Sequence, residues 1–313
     1  MAVHLKTSPG GWLAFEQNVL HRMAFESAAM PLMANTGLGL YLKRRGVRVA
    51  VNDPLQSTWV AGLARLQNDK EILSTDDVNT VLEDAYVPGW KLQNPSLSHW
   101  FSETDAWWFD NVRRNIEKLT SPFARSLAGS LALATGDYVM SFGEGTRELR
   151  QPLSTVFRRL WSIEPEPFNG LASCSNKGVD DFLSDHTTME RFGDLLFLRL
   201  PAAHARTVRE ALGRDAWREE WIRGGGEFWA DLDSASNNSL GGATETKSQY
   251  LRLLERTLER ASYFKKWAIA HVEGGFVTTQ DLVDTIGSIR RVETIYTKDF
   301  TELTGAKAVM IVA

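Results

Sequence analysis

The stretch Val47-Arg48-Val49-Ala50-Val51 lies between two helical patterns and restricts the possible folds more than any other feature of the chain. It alternates β-branched and other residues, meets a turn signal at Asn52-Asp53-Pro54, and has the length of a strand. Before it, residues from Gly37 read as a short helix that stops at Gly46. After it, Val60, Leu63 and Leu66 recur at a spacing of three, a helical face over 57–67. A strand reached and left through helices belongs to a crossover arrangement, so this part reads as α/β.

From about 70 to 160 the texture is helical. Ser102 with Asp105 three residues on starts a helix that continues through Phe109, Val112, Ile116 and Leu119. A second helix covers about Pro122 to Thr135, and Trp90, Trp100, Trp107 and Trp108 punctuate the region. Short apolar runs then return as strands at Leu171–Ser175 and Leu195–Leu198. The polar stretch Asp231–Lys247 reads as a mobile loop, suited to a substrate lid or recognition loop. Leu251, Leu254, Leu258 and Ala261 mark a long amphipathic helix, and Trp267–Val272 a strand followed by a turn at Gly274-Gly275. Thr278 with Asp281 caps a helix through Ile286, and Val292–Thr297 and Ala308–Val312 close the chain as strands. The order is α/β with a helical insertion: 1–69 and 161–313 form the α/β domain, and 70–160 the insertion. The last strands give the sheet antiparallel members.

Composition narrows the function classes. Thirty-five Lys+Arg against 39 Asp+Glu give a formal charge of −4, and hydrophobic residues make up 43% of the 313. That is a soluble globular composition, with no apolar run near the roughly eighteen residues of a membrane span. The start of the chain lacks the apolar stretch of a secretory signal. Cys174 is the single cysteine, which excludes an internal disulfide and fits a reducing cytoplasm. Six histidines share no metal-ligand spacing, so no metal site is expected. The acidic balance argues against coating nucleic acid by bulk charge, and leaves a local basic groove open.

Several motifs, taken together, resemble the Dam-like family of DNA adenine N6-methyltransferases nearly end to end. The family opens on Arg-Tyr-Pro-Gly-Gly-Lys; here Lys6-Thr7-Ser8-Pro9-Gly10-Gly11-Trp12 stands in its place, with Trp12 where the lysine belongs. Its cofactor loop, Asp-Pro-Phe-x-Gly-Ser/Thr-Gly, corresponds to Met30-Pro31-Leu32-Met33-Ala34-Asn35-Thr36-Gly37, followed by the family-like Leu42–Gly46 and Val51-Asn52-Asp53. The helical stretch from Trp100 to Leu119 resembles the family's helical, target-recognition-like segment. Lys266–His271 lies where relatives end a strand in Ser-Tyr-Asn. The resemblance implies a Rossmann-like S-adenosylmethionine-dependent methyltransferase sheet. It assigns cofactor contacts to Gly10, Gly11, Trp12, Asn35, Thr36, Gly37 and Asp53. The family's adenine-contacting acid falls on Gly178, or on Asp180 if the register slides.

The family's catalytic Asp/Asn-Pro-Pro-Tyr/Phe is missing, and Arg199-Leu200-Pro201-Ala202 occupies its place. The exocyclic amine of adenine is a poor nucleophile, because its lone pair is delocalised into the ring. The motif's acidic or amide side chain accepts the amine hydrogens and shifts electron density toward methyl attack. Arg199 has only donors and stays charged, so it cannot accept them. Ala202 has no ring to stack on a flipped base. The cofactor loop is weakened as well. Ala34 and Asn35 stand where glycine lets the backbone approach a ligand, and Met30 replaces the first-strand acid. Asp53 keeps a carboxylate for ribose hydroxyls, although an acid before a proline is more often an ordinary turn residue.

Other candidates have plainer readings. Lys43-Arg44-Arg45 suits a solvated helix end. Arg206–Arg223, with its interspersed acids, suits a solvated helix face rather than a nucleic-acid stripe. Trp217, Trp221 and Trp229 suit a core or a subunit contact. Cys174 suits a buried strand residue.

The leading expectation is therefore a catalytically degenerate homologue of adenine methylases. It would bind DNA weakly alone, or partner an active methyltransferase subunit in restriction-modification. The alternatives are an active S-adenosylmethionine-dependent DNA adenine methyltransferase with variant motifs, and a protein-interaction scaffold without cofactor.

Overall fold

Seven strands follow one another in space in an order that reverses once in the middle of the sheet. They are β1 (Ser27–Met30), β2 (Arg48–Asn52), β3 (Ala172–Ser175), β4 (Leu195–Arg199), β5 (Lys266–Glu273), β6 (Thr294–Asp299) and β7 (Lys307–Val312). The computed structural model describes residues 12–273 and 275–313. The spatial order is β3-β2-β1-β4-β5-β7-β6. β1 to β5 pair in parallel, while β7 runs antiparallel to both β5 and β6. This is a mixed α/β sheet of the methyltransferase-like kind. Its topological switch point lies between β1 and β4, where open α/β sheets bind ligands at the carboxyl ends of strands.

The chain divides into two compact units. One holds residues up to Pro54, Gly170–Gly213 and Trp229–Ala313; the other holds Leu55–Asn169 and Arg214–Phe228. The helical unit thus includes 55–69, 161–169 and 214–228, which lie outside the 70–160 boundaries drawn from the sequence.

In the α/β unit, alternation sends one row of strand side chains to each face. Ala29, Ala50, Leu196, Leu198, Ile269 and Ile311 face helices that include Lys247–Arg260 and Thr279–Gly287. The first of these helices buries Tyr250, Leu254 and Leu258 at a spacing of four. Each such side chain contributes about 1.5–3 kcal/mol of apolar burial. Thr278 and Asp281 form a complete capping box at the start of the second helix. On the other face, Trp12 and Phe300 pack with Ala308.

The helical unit has its own core. Phe101 and Phe109 stack at 4.3 Å between centroids, and Trp217 meets Phe101 edge-on at 5.4 Å. Gly136, on the helix Pro122–Met140, lies against the Trp217 ring.

Three readings of the sequence are corrected. Arg206–Arg223 is not a solvated face throughout. Glu219 and Glu220 are buried, and Glu219 accepts the backbone N–H of Gln56 at 3.0 Å and of Ser57 at 2.6 Å. An acid on an apolar helix face is here a cap for the helix Gln56–Gly62. The Asp231–Lys247 stretch is not loop throughout, since Trp229–Ser236 is helical with Trp229 buried. Cys174 is half-buried on the edge strand β3, because that strand has a neighbour on one side only.

Candidate functional site

The site is built at the carboxyl ends of β1, β2 and β4. After β1 the chain turns back on itself through Pro31–Thr36. The Met33 N–H donates to the Asn52 carbonyl at 2.9 Å, and the Ala34 N–H donates to Asp53 Oδ2 at 2.9 Å. Ala34 has φ +57°, a left-handed conformation in which the absence of a Cβ would be an advantage. Asn35 Oδ1 accepts from the Gly37 N–H at 3.1 Å, which shapes the start of the helix Gly37–Arg44. Thr36 is buried and makes no side-chain cap.

Asn52 ties the neighbouring loops together. Its Nδ2 donates to the carbonyls of Pro31 and Lys177, and its Oδ1 accepts from the Lys177 N–H. Asn176 donates to the Asp53 carbonyl at 2.8 Å. Asp53 itself is buried, and one of its carboxylate oxygens is engaged by the β1 loop. The geometry therefore brings Asn35, Thr36, Gly37 and Asp53 to one edge of the sheet.

Arg199, the last residue of β4, reaches across this edge. Its Nη1 donates to the Met33 carbonyl at 3.2 Å. Its Nε and Nη2 grip Glu16 Oε1 and Oε2 at 2.9 and 2.7 Å, a two-pronged charge-assisted contact. Glu16 lies on the helix Trp12–Leu20, is 0% exposed, and also accepts from Trp12 Nε1 at 2.7 Å. Trp12 is buried against Phe300, so its polar edge is already spent. The result is a Trp12–Glu16–Arg199–Met33 chain of contacts spanning from the first helix to the β1 loop, at the switch point of the sheet. Glu16 has no part in the motifs read from the sequence, and Asn52 enters them only within the turn Asn52-Asp53-Pro54 and the family-like Val51-Asn52-Asp53. The signals available were a Glu four residues after Trp12, and an Asn at the buried end of an apolar strand.

The remaining candidates have other surroundings. The Leu200 N–H extends the sheet by donating to the Ala270 carbonyl at 2.8 Å. The Pro201 carbonyl accepts from the Tyr250 hydroxyl at 2.9 Å, and burial raises the Tyr250 pKa. Ala202 is exposed. Asp180 pairs with Arg256 at 3.1 Å and stands 3.8 Å from Arg260, both on the helix Lys247–Arg260. Gly10 and Gly11 lie outside the described residues. Among the described residues no cluster of three His, Cys, Asp or Glu is placed to hold a metal. No helix among them is long and apolar enough to cross a membrane.

S-adenosylmethionine, which a methyltransferase-like sheet implies, would meet the Arg199–Glu16 pair at the end of β4. Seating its sulfonium beside the end of β4 sets a cation against the Arg199 guanidinium. Moving Arg199 away strands the buried Glu16 carboxylate, a cost of about 3–5 kcal/mol for a broken buried pair.

No protein-family model matches the chain. Over 89 residues it is 33% identical to "Type II methyltransferase M2.HphI" from Haemophilus parahaemolyticus. The match covers 28% of this chain and 26% of that protein, so the chain spans about a quarter of the relative's length. The similarity is weak and partial, and with the seven-stranded sheet it supports a methyltransferase relationship.

Proposed function

We propose that this chain is a catalytically degenerate homologue of DNA adenine N6-methyltransferases, which acts as a non-catalytic partner of an active methylase. One observation carries the reading. Arg199 stands where an acceptor for the target amine is needed, and it is locked to the buried Glu16 and to the loop after β1. A guanidinium offers only donors, so it cannot draw electron density into an amine. The same contacts set the cost of admitting the cofactor. The partial similarity to a type II methyltransferase supports the ancestry.

Calorimetric titration with S-adenosylmethionine, and transfer of labelled methyl groups to an adenine-containing duplex, test this directly. The expected result is no binding at micromolar concentrations and no transfer. Adding the chain to an intact adenine methylase from the same genome is expected to change that enzyme's DNA affinity or specific activity. Micromolar binding together with transfer by the isolated chain overturns the proposal.

The second reading, an active methyltransferase with variant motifs, is favoured by one feature. The β1 loop keeps a left-handed residue, Ala34, at the position where cofactor loops use glycine. The same two assays separate the readings.

A further inference from the structure

Five segments distant in sequence meet at the amino ends of the strands, opposite the candidate site. Residues 21–26, 44–48, 191–194 and 261–266 lead into β1, β2, β4 and β5, which are parallel. Residues 288–293 lead into β6, which runs the same way because β7 is antiparallel to both β5 and β6. Together the five segments hold nine Lys and Arg against three acids, Glu26, Asp194 and Glu293, in a chain of formal charge −4. At the other end, 31–36, 53–54 and 200–205 leave β1, β2 and β4 with no Lys or Arg and the single acid Asp53. The topology thus gathers basic charge onto one face of the α/β unit.

The segments are bonded to one another, so the charges are held in place. The Arg48 N–H donates to the Glu26 carbonyl at 3.0 Å, and the Glu26 N–H donates to Asp194 Oδ2 at 3.2 Å. Lys265 Nζ meets Asp194 Oδ1 at 2.6 Å, and Lys266 Nζ donates to the Ala24 carbonyl at 2.7 Å. Arg290 Nη2 donates to the Ser262 and Phe264 carbonyls at 2.9 and 2.6 Å. Most of these partners are neutral and leave the cations uncompensated. Arg45 lies over the Tyr41 ring at 5.6 Å, and Arg22 over the Tyr296 ring at 5.5 Å. Glu26 stands 3.9 Å from Arg48 and is largely exposed, a surface pair of little strength. Arg44 and Arg191 sit in last helical turns, where they complement the helix dipole. The other seven lie beyond those turns, so the dipole does not account for them.

We propose that this amino-end face binds the phosphate backbone of a DNA duplex without reading its sequence. At about 4.8 Å per strand, the row from β2 to β6 spans roughly 24 Å. A duplex of that length presents on the order of 14 phosphate charges. Seven of the nine cations are Arg, whose planar fork matches phosphate oxygens. The aromatic rings of the face are already covered: Arg45 and Arg22 lie over Tyr41 and Tyr296, and Tyr263 is stacked on Phe264 at 4.7 Å. Single strands need open rings on which bases stack, so the face suits a duplex. Tyr263 is the one exposed large apolar side chain within the five segments, and its hydroxyl donates to the Leu183 carbonyl. A membrane-binding surface calls for apolar side chains to insert, and this face has none. The inference goes beyond the role proposed for the switch point and does not rest on it.

The test uses the full chain and two fluorescein-labelled duplexes of unrelated sequence, read by anisotropy from about 50 to 200 mM salt. Both duplexes should bind alike. The logarithm of the association constant should fall with the logarithm of salt at a slope of about −4 to −6. Arg45→Gln/Arg48→Gln/Arg291→Gln should weaken binding at least about tenfold and flatten the slope by about 3, one unit for each lost phosphate contact. Lys70→Gln/Arg147→Gln/Arg159→Gln removes the same charge from exposed positions of the helical unit and should leave binding within about twofold. Circular dichroism should show both variants folded, since none of the six side chains is buried. Absence of duplex binding overturns the proposal, as does undiminished binding by the first variant or an equal loss in the second. Binding to phosphatidylserine vesicles in place of the duplexes, abolished in the first variant, also overturns it and reassigns the face to a membrane.

Discussion

Arg199 and Glu16 are 183 residues apart in the chain, yet they form a two-pronged ion pair with contacts of 2.9 and 2.7 Å around a carboxylate sealed from solvent. Desolvation makes the two halves of such a pair strongly interdependent. Arg199→Met should lower stability by about 3–5 kcal/mol, because the buried Glu16 carboxyl loses its partner. In Glu16→Gln/Arg199→Met the amide still accepts from Trp12, so much of that loss should return. Urea unfolding of the two single variants and the double variant gives the coupling, expected to be about 2 kcal/mol or more. Additive losses would mean that the two residues act separately.

The β1 loop holds Ala34 at φ +57°, where an L-residue is disfavoured by about 1–2 kcal/mol. Glycine removes that strain but adds about 0.4–1 kcal/mol of unfolded-chain freedom. Ala34→Gly should therefore raise stability by roughly 0.5–1 kcal/mol, seen as a higher urea midpoint at constant slope. It should not confer S-adenosylmethionine binding, because Arg199 still occupies the switch point. Calorimetric binding by this variant would locate the obstacle in the loop rather than in the ion pair.

The elements that could be read from the sequence are those whose determinants are local. Thr278 and Asp281 mark a helix start by a bond between neighbours, and β2 carries the alternating β-branched residues Val49 and Val51. β1 is different. Ser27-Ala28-Ala29-Met30 has no strand former, and it becomes a fully buried central strand because β2 and β4 pair with it on both sides. The burial of Glu219 is equally invisible along the chain, since the N–H groups it caps lie 162 and 163 residues away. At the candidate site, Arg199 was legible as a residue with the wrong chemistry. Its partner Glu16 was not, because a pairing of residues from distant segments leaves no periodic trace in either.

The helix Pro122–Met140 passes Trp217 at Gly136, and a Cβ built there would overlap the indole ring. Trp217 is buried among Phe101 and Phe109, so it has no room to move aside. Gly136→Ala gains helix propensity of about 1 kcal/mol but should lose about 3 kcal/mol or more to overpacking. The net effect should be a lower melting temperature with unchanged far-ultraviolet dichroism. A stabilised variant would show that the two elements separate more easily than their packing indicates.

His271, near the end of β5, is buried, and its Nε2 finds no hydrogen-bond partner. Burial depresses its pKa from 6.5 to about 4, against a weaker upward pull from Glu273. In the unfolded chain the ring takes up a proton as pH falls through about 6.5, while in the folded protein it stays neutral until about 4. Between those values the unfolded state binds more protons, so stability rises with pH. The contribution is complete above about 6.5 and is lost as pH falls toward 4, by up to about 3 kcal/mol. The Asp281 carboxylate, held near 2 by Thr278 and Lys247, titrates below this window and does not obscure it. His271→Leu should flatten the decline between pH 6.5 and 4.5 in urea midpoints while keeping the apolar packing. Parallel curves for the wild type and the variant would assign the acid sensitivity to other groups.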